Sequence, residues 1–206
     1  MKVYGHPMST CTRKVLTALA EKGHEPEFVL TDIMKGEHKL PDAIARQPFG
    51  VIPVIEDDEF ILYESRAIIR YLDDKLEGPK LVPADIRDRA RMEQWISVEQ
   101  SYMSPKAMVI IINNMFGPMM GKTPDESAVS AAKENLGHTF DVADKALARQ
   151  DFFGGKTFSL ADISWMPYIE YLFGAKAGDL VTERQNLGAW WKRVSERPSW
   201  RKVVGR

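Results

Sequence analysis

The chain is predicted to fold as an α/β domain, one sheet with helices packed on it, followed by an all-helical domain. Three observations predict this. Runs of β-prone residues fall in the first third, at 2–5, 26–31 and 54–63. Beyond residue 86 apolar side chains recur at helical spacing with almost no strand alternation. Between the two regions, Glu77-Gly78-Pro79 and then Pro83 break both patterns. The expected organisation is an α/β domain over 1–77, a linker over 78–86 and a helical bundle over 87–206.

Lys2-Val3-Tyr4-Gly5 is a short strand stopped by the turn residues Gly5-His6-Pro7. Thr12 to Lys22 carries Val15, Leu16, Leu19 and Ala20 on one helical face, with Gly23 as the stop. Pro26 to Thr31 returns to strand residues, Phe28 and Leu30 alternating with Glu27 and Val29. A loop with helical potential follows. Val54-Ile55-Glu56 and Phe60-Ile61-Leu62-Tyr63 flank the acidic Asp57-Asp58-Glu59, a hairpin pattern. Ala67, Ile68, Tyr71, Leu72 and Leu76 then space a helix over 65–76. The order is β-α-β-α-β-β-α.

In the second part, Met92, Trp95, Ile96 and Glu99 sit on neighbouring turns of a helix over 87–102. Leu136, Phe140, Ala143 and Leu147 make a stripe at helical spacing. Ser159 and Asp162 have the form of a capping box, so a helix starts there and is expected to kink at Pro167. Leu187, Trp190, Trp191 and Val194 mark a further helix, ended before Pro198. Trp95, Trp190, Trp191 and Trp200 are expected as packing anchors.

Composition removes several functional classes. Lys plus Arg number 28 and Asp plus Glu 29, a net charge of −1, so no basic excess points to nucleic acid or to an anionic membrane. A single cysteine forms neither an internal disulfide nor a zinc cage, and no metal site is expected. The longest apolar run, 107–112, is too short to span a bilayer, and 1–5 leads directly into structure without a leader. A cytoplasmic protein is the expectation.

Five motifs in order, Gly5-His-Pro-Met-Ser9, Gly36-Glu-His-Lys39, Pro48-Phe-Gly-Val-Ile-Pro53, Tyr63-Glu-Ser-Arg-Ala-Ile68 and Phe158-Ser-Leu-Ala-Asp162, resemble the cytosolic glutathione transferases, most closely the phi class. The resemblance covers essentially the whole chain. It implies a thioredoxin-like first domain, a homodimer, a detoxification role, and transfer of glutathione to hydrophobic electrophiles. Glutathione would be a co-substrate, and no cofactor is implied.

That chemistry needs the thiolate, because the thiol is a poor nucleophile. A free thiol with a pKa near ~8.5 is only a few per cent ionised at neutral pH. Lowering it by about two units requires about 2.7 kcal/mol of preferential anion stabilisation. A hydroxyl donor beside a helix N-terminus supplies much of this. Ser9 lies between the first strand and first helix and matches the family's thiolate-stabilising serine; by position alone it is a helix cap. Cys11 stands two residues beyond that position and reads as a small buried residue.

For the rest of glutathione, the resemblance assigns His38 and Lys39 to the glycyl carboxylate. Ile52 contributes its main chain to the cysteinyl backbone, and Pro53 is a cis proline that orients it. Glu64 meets the γ-glutamyl ammonium, while Ser65, read as the cap of its helix, receives the carboxylate with the first free amides. Phi proteins commonly read Asn-Pro-Phe-Gly-Gln, where this chain has Gln47 and Val51. Val51 occupies a glutathione-binding position but cannot donate from its side chain, so one polar contact is lost or replaced.

The electrophile pocket is expected between the domains, lined by Met8, Thr10, Met34, Met108, Ile112 and Phe116, since methionine suits a pocket for varied hydrophobic molecules. The same activated thiol serves peroxidase or isomerase side activity. Two rival functions are a non-catalytic binding or assembly module of the same fold, and a Cys11-dependent thiol–disulfide oxidoreductase.

Overall fold

Strand β1 (Lys2–Gly5) turns Val3 fully inward, and two further strands join it on one side. The computed structural model describes residues 1–206 and contains a four-stranded sheet in the order β2-β1-β3-β4. β2 (Glu27–Leu30) runs parallel to β1; β3 (Val54–Asp57) is antiparallel to β1 and to β4 (Phe60–Tyr63). A parallel neighbour requires a crossover helix, and α1 (Thr10–Glu21) provides it. The β3–β4 hairpin closes through Asp58 and Glu59, with Asp58 at φ 54°. This is the thioredoxin-like arrangement.

α1 buries Val15, Ala18 and Leu19 and packs on α3 (Ser65–Lys75), whose Ile68, Ile69 and Leu72 are likewise excluded from water. Gly23, at φ +76°, ends the α1 segment in the left-handed conformation that glycine adopts without strain. The loop with helical potential becomes a 3₁₀ turn (Glu37–Lys39) and α2 (Pro41–Arg46). β2 departs from its sequence pattern. As an edge strand it leaves Phe28 39% and Leu30 58% exposed, and Val29 is the half-buried residue.

The chain divides into two compact units, Met1–Val82 with Arg197–Arg206, and Pro83–Glu196. The last ten residues therefore belong with the first unit and not, as expected from sequence, with the helical domain. Arg197 makes two 2.6 Å bonds to the Glu21 carboxylate, Ser199 donates to the same group, and α11 (Pro198–Val204) packs on α1. Residues 79–82 are also held to the first unit rather than forming a free linker. The buried Asp73 carboxylate accepts the amides of Leu81 at 2.8 Å and Val82 at 3.1 Å, while Lys22 Nζ donates to Asp73 Oδ1 and the Pro79 carbonyl, both at 3.1 Å.

The second unit is helical. α4 (Ile86–Val98) runs through a π-helical turn (Glu99–Met103) into α5 (Ser104–Ile111), and a second π turn (Ile112–Phe116) leads to the short α6 (Gly117–Met119). α7 (Glu126–Leu147), α8 (Leu160–Gly174), α9 (Asp179–Thr182) and α10 (Gln185–Ser195) complete it. α8 is buried almost all round, which explains its lack of an amphipathic pattern. At its start Asp162 accepts from the amides of Phe153 and Ser159, from Ser159 Oγ and from Trp190 Nε1, all within 2.8–3.0 Å. Burial pushes the Asp162 carboxyl above the ordinary range against the pull of these bonds. Trp165 is the aromatic centre, in ring contact with Trp95, Phe140 and Phe153. Trp191, by contrast, is only half-buried, stacked on Phe173.

Candidate active site

Strand register gathers the site. Gly5 pairs with Leu30 on β2, and Tyr4 stands opposite Val54 on β3, which stands opposite Tyr63 on β4. The segments leaving β1 and β2, entering β3 and leaving β4 therefore share one end of the sheet. On them lie Ser9; His38 and Lys39; Val51, Ile52 and Pro53; and Glu64 and Ser65. Hydrogen-bond register thus brings together strand ends that lie more than fifty positions apart in sequence. None of this grouping depends on the helical unit.

Ser9 is the N-cap of α1, with extended backbone (φ −76°, ψ 126°), and its Oγ accepts from the Thr12 amide at 3.2 Å. The Ser9 amide donates to the His6 carbonyl at 2.9 Å, tying the 6–9 turn. Gly5 is required where the strand meets this turn: a Cβ there would lie 2.6 Å from Thr12 Cγ2. Capping does not exhaust the hydroxyl, because one oxygen can accept while its hydrogen donates elsewhere. The first amides of α1 have no intrahelical acceptor and present partial positive charge at the same place. Ser9 is half-buried. Cys11, also half-buried, is a free thiol in the first turn of this helix.

The Ile52–Pro53 peptide is cis, with Pro53 buried and Ile52 half-buried immediately before β3. Val51 is 46% exposed. On the other side of the hairpin, α3 is capped by Glu64, which holds φ 71°, ψ 105° and makes no side-chain cap bond; Ser65 is instead the first helical residue and is buried. The expectation that Ser65 caps this helix is thus corrected, because the chain turns into α3 one residue earlier. A non-glycine residue in that conformation carries about 1–3 kcal/mol of strain, of the kind that accumulates where geometry serves a site. The conformation leaves the Glu64 carboxylate exposed at the helix start.

His38 is half-buried and Lys39 exposed in the 3₁₀ turn, with Lys39 Nζ 3.4 Å from the Phe49 carbonyl. Phe49 itself is 69% exposed, touching Tyr63 edge-on at 6.2 Å between ring centres. From sequence Gln47 is read only as a departure from the phi pattern, with no role of its own. It is 1% exposed and accepts from the Phe49 amide at 2.6 Å through Oε1.

The residues expected around an electrophile are distributed over both units. In the first, Met8 is half-buried, Thr10 buried and Met34 exposed; in the second, Met108 and Phe116 are half-buried and Ile112 exposed, with Phe116 edge-on to Tyr171 at 5.2 Å. No group of three or more His, Cys, Asp or Glu side chains is placed to hold a metal ion, and no helix is long and apolar enough to cross a membrane.

Comparison with known proteins agrees with the motif order. Residues 1–74 match the family model of the glutathione S-transferase N-terminal domain, and 101–198 that of the C-terminal domain. Glutathione S-transferase F10 of Arabidopsis thaliana is 37% identical over 96% of this chain and 93% of its own length. The crystal structure of glutathione transferase F2 from Populus trichocarpa superposes with a TM-score of 0.95 at 36% identity, covering 99% of this chain and 97% of that one. A maize glutathione S-transferase I, solved in complex with an atrazine glutathione conjugate, superposes at 0.92 with 31% identity, covering 99% and 96%.

Proposed function

The chain belongs to the glutathione S-transferase family, its relatives being phi-class plant enzymes, and on that premise we propose that it binds glutathione as a thiolate donated to by Ser9 and transfers it to hydrophobic electrophiles. The observation that carries this reading is the position of Ser9: a helix-capping hydroxyl at the sheet end shared with Pro53 and with Glu64–Ser65. A sulfur placed there receives a hydroxyl hydrogen and faces the positive end of α1, and both interactions favour the anion over the thiol. About 2.7 kcal/mol of such preference would ionise most of the bound thiol at neutral pH.

In this assignment the extended peptide lies along the end of β3 and bonds the Ile52 main chain, by the logic of strand addition. The γ-glutamyl end takes Glu64 for its ammonium and the start of α3, at Ser65, for its carboxylate. His38 and Lys39 take the glycyl carboxylate. Catalysis then rests on a preformed nucleophile held near its electrophile, without acid–base residues of its own. The reading includes assembly as a homodimer, which sedimentation velocity checks.

The test is direct. The protein should be retained on immobilised glutathione, conjugate glutathione to a general aromatic chloride, and show the ultraviolet absorbance of bound thiolate at neutral pH. Retention without turnover would favour the non-catalytic module. Activity abolished by Cys11→Ser, with a trapped mixed disulfide in the parent protein, would favour the oxidoreductase.

A further inference from the structure

Two buried side-chain polar atoms in this chain lack a hydrogen-bond partner, and both lie in one short stretch: His38 Nδ1 and Gln47 Nε2. Every other buried side-chain nitrogen or oxygen is satisfied, as is usual. An unpaired buried amide destabilises the state that contains it, so two such atoms beside a proposed ligand site ask for an explanation.

The orientation of the Gln47 amide is not arbitrary. The Phe49 N–H is a donor and can meet only an oxygen, so the 2.6 Å bond fixes Oε1 there and leaves the NH₂ group on the other side with both hydrogens unused. Gln47 also holds the turn through its main chain, accepting from the Gly50 amide at 2.9 Å. That turn leads directly to Val51 and the cis Ile52–Pro53 peptide. In the phi pattern position 51 is a glutamine whose side chain bonds glutathione; here it is valine, and a glutamine with an idle donor stands four residues earlier.

We propose that Gln47 is a glutathione-binding residue, whose Nε2 donates to an acceptor oxygen in the cysteinyl–glycine half of the tripeptide and replaces the contact that Val51 cannot make. This deepens the glutathione reading and rests on it. The amide is shielded in the free protein, so the contact forms when the 48–51 turn shifts on binding. The turn is suited to that movement. Gly50 already holds φ +60°, and Phe49 and Val51 are 69% and 46% exposed, so little apolar packing is lost when they move. The residues against Gly50 are the flexible ends of Lys39 and Ile44. His38, the second unpaired group, belongs to the stretch assigned to the same end of the ligand.

A double-mutant cycle read by calorimetric glutathione binding tests this. Gln47→Leu should weaken binding about threefold to tenfold, the range of one hydrogen bond. Val51→Gln should raise affinity by a smaller factor in the parent than in the Gln47→Leu background, since the parent already makes the contact. Combined, the two should return affinity to near the parent value. Equal affinity of Gln47→Leu and parent would overturn the proposal, as would a gain of the same factor from Val51→Gln in both backgrounds. If Gln47→Leu does not fold, Val51→Gln on the parent decides: a threefold to tenfold gain there refutes the assignment. A parent protein that does not bind glutathione refutes the underlying reading as well, whereas binding with an inert Gln47 refutes this step alone.

Discussion

The Thr12 amide donates to Ser9 Oγ at 3.2 Å, so a serine oxygen closes the first turn of α1 as an acceptor, a role that does not use its own hydroxyl hydrogen. The cap and the proposed thiolate donor are one group, and the two tasks are separable by substitution. Ser9→Ala removes both: about 1 kcal/mol of stability goes with the cap, and the pKa of bound glutathione rises by about one to two units. Ser9→Asp separates them. Its carboxylate can still cap α1 but repels a thiolate, so thermal stability should stay near the parent while the thiolate absorbance at neutral pH disappears. A Ser9→Ala protein whose bound thiol titrates as the parent does would remove Ser9 from the chemistry.

Glu64 offers a contrast between strain and binding. Glu64→Gly relieves the positive φ and should stabilise the protein by about 1 kcal/mol or more. The same change, like Glu64→Gln, removes the charge assigned to the γ-glutamyl ammonium. Both variants should bind glutathione at least about tenfold more weakly, since a bond to a charged group contributes about 1.5–3 kcal/mol. Denaturant unfolding and calorimetry read the two effects independently.

Lys22 and Asp73 form an ion pair with essentially no exposed surface, and Asp73 also holds the amides of Leu81 and Val82. Lys22→Met leaves a buried carboxylate without its counter-ion and should cost about 3–5 kcal/mol. The double variant Lys22→Met with Asp73→Leu should recover part of that loss in urea unfolding. Recovery of nothing would mean that the amide bonds, not the charges, dominate.

Acid sensitivity should trace in part to Asp57. Lys75 and then Tyr71, both donating to Asp57, hold its carboxyl below the usual range. Its stabilising contribution is therefore complete above the unfolded-state value of about 3.9 and is lost as pH falls through the lower folded value. Asp57→Asn should lower stability at neutral pH and flatten the decline in melting temperature on acidification below about pH 4. An unchanged slope would assign the acid limb to other carboxylates.

Much of this molecule is legible in its letters. The β1, hairpin and α3 patterns place their elements within a residue or two, because alternation and helical spacing are local properties of a half-buried chain. β2 is the exception: its alternation of Phe28 and Leu30 with Glu27 and Val29 does not show that, on an edge strand, Phe28 and Leu30 stay exposed and Val29 is the half-buried residue. Trp165, the centre of the helical core, lay unnoticed because α8 is apolar on nearly every face and shows no stripe. The π turns at 99–103 and 112–116 likewise have no spacing signature, since each inserts into a helix that continues on either side.

The sequence by itself determined the fold class, the family and the residue types available to bind glutathione, because each is written in motifs of a few adjacent positions. Tertiary structure alone decided which of those motifs meet. The Tyr4–Val54–Tyr63 register sets four distant segments at one sheet end; the return of Arg197 to Glu21 gives the last ten residues to the first unit; and the enclosure of Gln47 leaves its amide without a partner. Hydrogen-bond register and burial arise between segments far apart in the chain, and no local pattern encodes them.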